Sequence, residues 1–351
     1  MKTNMIGIDS YYTPVPTANK LAAFVTEKNI NTAVDFCVGD GALLKAVEKK
    51  MQGVKFFGTD ISRDVIEKNS VENPTWTLGV CDFRDDESIQ KLPFLKDASF
   101  DLIMFNPPFS CKGGLIEHVS IDERNFKVST AMMFIMKAIK YLSSTGSMYA
   151  ILPISCVYSQ KDKIAWQYLQ NTYNACVLEE PKRVCFGNNC SPNIVLVYLG
   201  NHKKATYSTV FSSDFSMFSV NSIVRGCTRM QKPAYSSSKK AVRLIHTTNI
   251  QEGRLVHLKR IMPGFQQIIG GFGVVIPRVC NPSPKKVALL DGRYDYILSD
   301  CVIAIRTSTK ESAVQIKSHI INNWPSFKGI YKGTGAQYTT LERVKTLFGI
   351  K

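Results

Sequence analysis

Histidine and organised cysteine are two things this chain of 351 residues has little of. Its five histidines stand at no metal-ligand spacing from a cysteine, and its ten cysteines are scattered without one Cys-x-x-Cys pair. A structural zinc site and a disulfide framework are thereby excluded as the basis of the fold. Cys185 and Cys190 are the closest two and read as free thiols beside a turn. No apolar run reaches membrane-spanning length, and no signal peptide precedes the first motif. The expectation is a reducing, cytoplasmic setting (the host cytosol or nucleus if the chain is viral), not secreted, with no membrane and no resident metal.

Acid is missing too, but from one part only. Residues 1–200 carry 21 basic and 21 acidic side chains, whereas residues 201–351 carry 23 basic against 7 acidic, so the net charge of +16 lies wholly in the second part. A neutral part joined to a strongly basic one is the pattern of a catalytic domain with a nucleic-acid-binding companion. A basic surface kept for solubility usually interleaves both signs. A membrane-surface role calls for a long basic amphipathic helix, which this part does not contain.

What is present centres on Asn106-Pro107-Pro108-Phe109, directly after the apolar run Phe100–Phe105. A run that short, followed at once by two prolines, reads as a buried parallel strand ending at its carboxyl edge. That edge is where open α/β sheets bind ligands. Asn106 is extended because a proline follows it, and its side-chain oxygen is a neutral acceptor. Pro107 has a fixed φ that aims its carbonyl as a second acceptor, and Phe109 offers a flat apolar face. Two fixed acceptors beside an aromatic plane form a clamp for a planar group carrying an NH₂. By average composition such a tetrapeptide arises by chance in roughly a few per thousand chains of this size.

Three further strand tips lie upstream. Thr32–Phe36 is a short apolar strand carrying Asp35, followed by Cys37-Val38-Gly39-Asp40-Gly41 and a helix-like stretch. Gly39 and Gly41 allow a tight turn close to a ligand. Leu44 stands where a dinucleotide fingerprint has its third glycine. The acid ahead of the turn suits a cofactor with an amino group better than one with a pyrophosphate. A second strand ends in Asp60, about twenty residues on, where a carboxylate binds ribose hydroxyls. A third ends at Asp82-Phe83. Taken singly, each acid is an ordinary turn former or cap; the order and spacing carry the signal.

That order resembles the S-adenosylmethionine-dependent amino-methyltransferases, and more narrowly the gamma group of adenine-specific DNA methyltransferases from restriction–modification systems. The resemblance covers roughly the first 200 residues with specific motifs. It implies that Tyr12-Thr13-Pro14 packs against the methionine part of the cofactor, with Asp35, Gly39 and Gly41 beneath it and Asn106 beside it. It implies Asp60 on the ribose, Asp82 and Phe83 on the cofactor's adenine, and Asn106, Pro107 and Phe109 on the target amine. Tyrosine is the usual fourth residue of the clamp, so Phe109 departs mildly; stacking needs only the ring.

The resemblance also implies a division into residues 1–200 as the catalytic domain, 201–240 as a connector and 241–351 as a basic target-recognition domain. The expected fold is α/β: a doubly wound Rossmann-like sheet with a second, smaller, β-rich domain. Helices are expected over Ala18–Lys28, capped by Thr17, over Phe126–Leu142, stopped by Ser143–Gly146, and over Lys163–Asn171. Beyond Lys240 come the β-like runs Phe272–Ile276, Lys286–Leu290 and Val302–Ile305, then a helix over Thr340–Phe348. In the turn-rich loop Pro181–Asn193, Phe186 is counted with the site, stacking on the far face of the flipped base as the resemblance implies; the alternative is a plug that packs the loop onto the sheet. Arg278 and Lys332 are the first basic residues to test against DNA.

The expected activity is methyl transfer from S-adenosylmethionine to the exocyclic amine of adenine in double-stranded DNA, with no protein partner required. The same clamp also suits adenine in RNA or a protein glutamine amide. The basic second part favours nucleic acid, and phosphate attraction alone does not separate DNA from RNA. A protein that keeps the fold without the chemistry is a further alternative.

Overall fold

A computed structural model describes residues 12–109, 116–159, 161–186, 191–204, 215–230, 234–333 and 336–350. The chain divides into two compact units, Met1–Ser208 and Thr209–Lys351.

The first unit alternates strand and helix: α1 (Val15–Ala23), β1 (Thr32–Asp35), α2 (Ala42–Glu48), β2 (Lys55–Asp60), α3 (Arg63–Glu72), β3 (Thr77–Val80), α4 (Asp86–Gln90) and β4 (Phe100–Phe105). A hairpin follows, β5 (Glu117–Ile121) and β6 (Arg124–Val128), then α5 (Thr130–Ala138) and β7 (Leu142–Pro153). The unit ends with α6 (Ser155–Tyr158), α7 (Lys163–Tyr173), β8 (Cys176–Val177), β9 (Lys182–Arg183) and β10 (Asn193–Gly200). The main sheet runs β3-β2-β1-β4-β7-β10-β8, with β9 also on β10. Pairing is parallel from β3 through β7, and β10 enters antiparallel.

The strands are apolar on both faces because both faces are covered. On β4, Ile103 and Phe105 pack with α5 and α7, and Leu102 and Met104 pack with α1 and α2. β7 and β10 alternate in the same way: Ala150 and Val197 fall on the first side, Tyr149 and Tyr198 on the second. This is the doubly wound α/β sheet that the strand–helix alternation predicts. The chain runs outward from β1 to β3 and then crosses to β4 on the other flank of β1. The carboxyl ends of β1 and β4 therefore bound a switch point of the topology.

Three local expectations change. α1 starts at Val15 with Pro14 as its N-cap, and Thr17 lies inside it; proline's fixed φ suits that entry. The single helix expected over Phe126–Leu142 begins instead at Thr130, where Ser129 caps it, and Phe126 lies on β6. Its stop signal, Ser143–Gly146, lies inside β7. The hairpin is hard to read because its turn has no glycine: Asp122 and Glu123 take the left-handed conformation, with φ of 46° and 61°.

The second unit comprises β11 (Ser222–Arg225), β12 (Val242–Ile245), β13 (Ile250–Gln251), β14 (Arg254–Leu255), β15 (Arg260–Ile261), β16 (Ile268–Ile269), β17 (Phe272–Pro277), β18 (Ala288–Leu290), β19 (Tyr296–Leu298) and β20 (Val302–Thr307). Three helices close it, α8 (Lys310–Asn322), α9 (Trp324–Lys328) and α10 (Leu341–Leu347). Two four-stranded sheets form, β11-β20-β17-β18 and β15-β12-β19-β16. Val274, Ile276, Ile303 and Ile305 face a core with α8, α9 and α10. Val275, Val302 and Ala304 face a second core with Ile245, Tyr296 and Leu298 of the other sheet. Two features escape the sequence reading. The 13-residue α8 is not foreseen, and the stretch expected as a connector, 201–240, supplies the edge strand β11. No described helix is long and apolar enough to cross a membrane.

Candidate active site

The strand register sets four tips side by side. Asp35 pairs with Gly58, Asp60 with Val80 and Val34 with Ile103, so the residues after β1, β2, β3 and β4 share one edge. A cleft there is lined by Tyr12, Gly39, Asp60, Asp82, Asn106 and Phe109, with Thr13, Phe83 and Pro107 also on its walls. Of the residues expected in the site, Pro14, Asp35, Gly41 and Phe186 are not on this lining.

The turn after β1 is built by its glycines. Gly39 and Gly41 have φ of +52° and +77°, where other L-residues are strained. A Cβ on Gly39 would also meet the Tyr12 ring at 2.9 Å, and one on Gly41 would meet Asn69 Oδ1 at 2.7 Å. Asn69, which no motif marks, donates through Nδ2 to the Gly39 carbonyl at 2.7 Å. Asp60 accepts from the Gly39 N–H at 3.0 Å and from the Ser62 N–H at 2.9 Å, so the second strand tip holds the first loop. A carboxylate has about four lone-pair positions, and Asp60 keeps acceptor capacity for a diol.

Asp35 lies beneath the turn, 1% exposed, and accepts from the Cys37 N–H at 2.9 Å. Burial pushes its carboxyl up to about 8; the Cys37 bond opposes this, and the nearby charges of Asp60 and Asp40 add to it. At neutral pH Asp35 is a neutral acid under the loop. Burial, followed by Asp60 and Asp40, also raises the Tyr12 phenol, which stays protonated.

Asp82 is forked by Arg84. Nε donates to Oδ1 at 2.9 Å, Nη2 to Oδ2 at 2.6 Å, and the Arg84 backbone N–H to Oδ1 at 3.0 Å. Burial works against ionisation of Asp82, but the Arg84 hydrogen bonds outweigh it and hold the carboxyl below its usual range. Phe83 is only 2% exposed and stacks on Phe36 at 4.3 Å, so it offers the cleft a rim.

In the clamp itself, Asn106 Nδ2 donates to Thr13 Oγ1 at 2.9 Å. That bond fixes the amide with Oδ1 as its acceptor end. Thr13 is buried, and Pro14 turns the chain directly into α1, so the segment expected against the cofactor also orients the Asn106 amide. Phe186, 9% exposed, packs edge-on against Phe109 at 5.6 Å and 79° within the core that holds α1 and α2. It packs against Phe109 and does not reach the cleft lining. The adjoining residues 110–115 and 187–190, Cys190 among them, lie outside the described residues.

Comparison with known proteins adds to this geometry. The family model for "N-6 DNA Methylase" matches residues 7–225, which is more than half of the chain. The chain belongs to the N-6 DNA methylase family. The match covers every strand tip of the cleft. A curated relative, the uncharacterised protein MG259 homolog of Mycoplasma pneumoniae, is 24% identical over 151 residues, 42% of this chain and 33% of the relative. Among solved structures, the methyltransferase subunit of a type I restriction-modification system from Streptococcus thermophilus superposes with a TM-score of 0.42 at 19% identity, covering 55% of this chain and 45% of that one. A modification subunit of a putative type I restriction enzyme from Vibrio vulnificus gives 0.42 at 14% identity, with 55% and 45% covered. The chain thus spans about a third of that curated relative and under half of these two subunits.

Proposed function

We propose that this N-6 DNA methylase family member transfers a methyl group from S-adenosylmethionine to the exocyclic amine of adenine in a specific duplex DNA sequence, with the motif order of the gamma group. The observation that carries the reading is the Asn106–Thr13 hydrogen bond at the head of an Asn-Pro-Pro-Phe clamp on the carboxyl edge of the sheet.

The donor set in the cleft fits the cofactor. Asp60 takes the ribose hydroxyls, Asp82 Oδ2 accepts from the adenine amine beside Phe83, and Tyr12 and the Gly39 turn cover the methionine part. Asp35 lies below as the acid that answers an ammonium group. S-adenosylmethionine, when bound, supplies an electrophilic methyl on a sulfonium. The target amine is a weak nucleophile, because its lone pair is delocalised into the ring. Asn106 Oδ1 and the Pro107 carbonyl accept its two hydrogens, which favours a pyramidal nitrogen with its lone pair aimed in line. Phe109 holds the ring plane by stacking. No base has to act before attack, and among the described residues the cleft lining contains no histidine. The amine lies inside the base stack, so the adenine is flipped out to reach the clamp. The basic second part binds and reads the flanking duplex. No protein partner is needed for the transfer.

Incubating the full chain with labelled S-adenosylmethionine and random-sequence duplex DNA, then mapping modified adenines, tests the reading. The expected result is N6-methyladenine at one short sequence, abolished by Asn106→Ala. Label in RNA or in a protein glutamine, with none in DNA, would overturn it.

A further inference from the structure

The second unit has a basic pocket that the methyl-transfer reading does not use. Arg243 on β12, Arg254 at the start of β14 and Lys317 on α8 converge there with Tyr294 and Tyr296, and Asp291 is on the same lining. The turn that presents Arg254 is tightly determined. Glu252 and Gly253 both have positive φ, 45° and 71°, giving a two-residue hairpin turn between β13 and β14. Lys317 Nζ donates to the Gly253 carbonyl at 2.8 Å, which ties the turn to α8.

Among the described residues the acid on this lining, Asp291, is already taken by another cation. Asp291 is engaged by Arg293, with contacts of 2.6 and 2.9 Å. Neither Arg243, Arg254 nor Lys317 forms an ion pair with an acid among the described residues. Arg260, opposite Arg243 across the β12–β15 pair, turns its guanidinium to the carbonyls of Ala241 and Lys239. Burial, then repulsion from Arg254, lowers the Lys317 amine below its ordinary range. Three cations on one lining, with the charge of Lys317 opposed by burial and by Arg254, are the mark of a site made for an anion. The aromatic component narrows its chemistry. The Arg243 guanidinium lies 3.4 Å from the Tyr294 ring centroid; stacking of this kind pre-organises the planar N–H fork for a phosphate.

We propose that Arg243, Arg254 and Lys317 form a phosphate pocket that grips one phosphodiester of the duplex engaged by the basic second part. The proposal rests on the DNA reading above and names three of the residues that would anchor it. A grip on the backbone fixes the position of the unit on DNA without reading sequence.

The test compares the full chain with Arg254→Ala/Lys317→Ala and with Arg254→Lys, titrating cognate and non-cognate duplexes over a range of salt. The double variant should weaken both duplexes about equally and flatten the log–log salt slope by about 0.9, the value for one phosphate contact. Arg254→Lys should keep most of the slope, and calorimetry with S-adenosylmethionine should be unchanged in all three proteins. Because Lys317 also holds the Gly253 turn, a second measurement uses the unaltered protein: acetylation of Lys317, read by mass spectrometry, should be suppressed by duplex DNA. Folded variants with the wild-type slope would overturn the pocket while leaving the DNA reading intact. Protection of Lys317 by inorganic phosphate or free dAMP but not by duplex would also overturn it, in favour of a small-molecule site. A wild type whose binding hardly changes with salt would defeat the DNA reading itself, and the pocket with it.

Discussion

Replacing Asp35 by asparagine should flatten the pH dependence of the first unit's stability. The wild-type carboxyl has a folded-state pKa of about 8, against 3.8 for an unperturbed aspartate. Below pH 4 both folded and unfolded chains are protonated at this position, and it contributes no difference. Above pH 4 the unfolded chain has released the proton and the native chain has not, so stability falls with each pH unit until the native group also ionises near pH 8. Over about 4 units at roughly 1.4 kcal/mol each, the loss is on the order of 5 kcal/mol. That is a large part of a domain stability of roughly 5–15 kcal/mol. Asparagine keeps the oxygen that accepts from the Cys37 N–H and cannot ionise. Asp162, also raised by burial, is present in both proteins and cancels in the comparison. Urea titrations of the full chain between pH 5 and 9, followed by the tryptophan fluorescence to which Trp76 beside the Gly41 turn and Trp166 contribute from the first unit, read the difference. Wild-type and variant curves that fall in parallel would refute the argument and remove Asp35 as a buried neutral acid.

Other expectations concern the cleft. Binding of S-adenosylmethionine at pH 7 should be accompanied by partial proton release, because an ammonium group near Asp35 favours its ionised form; calorimetry in two buffers of different ionisation heat measures it, and no buffer dependence would count against the contact. Asn106→Ala should abolish methyl transfer with cofactor affinity nearly kept, whereas Asp60→Ala should weaken the cofactor first; equal loss of cofactor affinity in both would sink the division of roles. Phe109→Ala should lower turnover by 10- to 100-fold, matching stacking of roughly 1–3 kcal/mol per base, and Phe109→Tyr should keep a good part of it. Gly41→Ala should lower the melting temperature, because it adds a left-handed strain of about 1–2 kcal/mol to the 2.7 Å approach to Asn69; an unchanged melting temperature would show that the turn yields.

The strand tips were legible because each couples an apolar run to a polar residue at its end, a pattern local enough to see in one dimension. Asn69, Thr13 as partner of Asn106, and Arg84 as partner of Asp82 belong to the same site in different degrees. Arg84 lies two residues from its carboxylate, but Asn69 reaches the Gly39 carbonyl over 30 positions and Thr13 the Asn106 amide over 93, and only the fold brings them together. Phe186 was open to two readings because an aromatic residue in a polar loop has the same sequence signature whether it faces a ligand or backs a wall. In the basic part, Arg278 drew attention by its place after a strand, yet its Nε donates to the Asp300 carbonyl at 2.8 Å. The Arg243–Arg254–Lys317 group comes from three separate elements and has no linear signature.

The alternation along β17 and β20 has a consequence for how this protein changes over generations. Successive residues there serve two different cores, so inserting or deleting one position would send Val275 and Ala304 where Val274 and Ile305 belong and spoil both at once. Heritable length change is thereby steered away from the two central strands and into the segments that hang from their neighbours, such as the Glu252-Gly253 turn and residues 262–267. Surface chemistry can drift in those segments while the frame beneath stays in step.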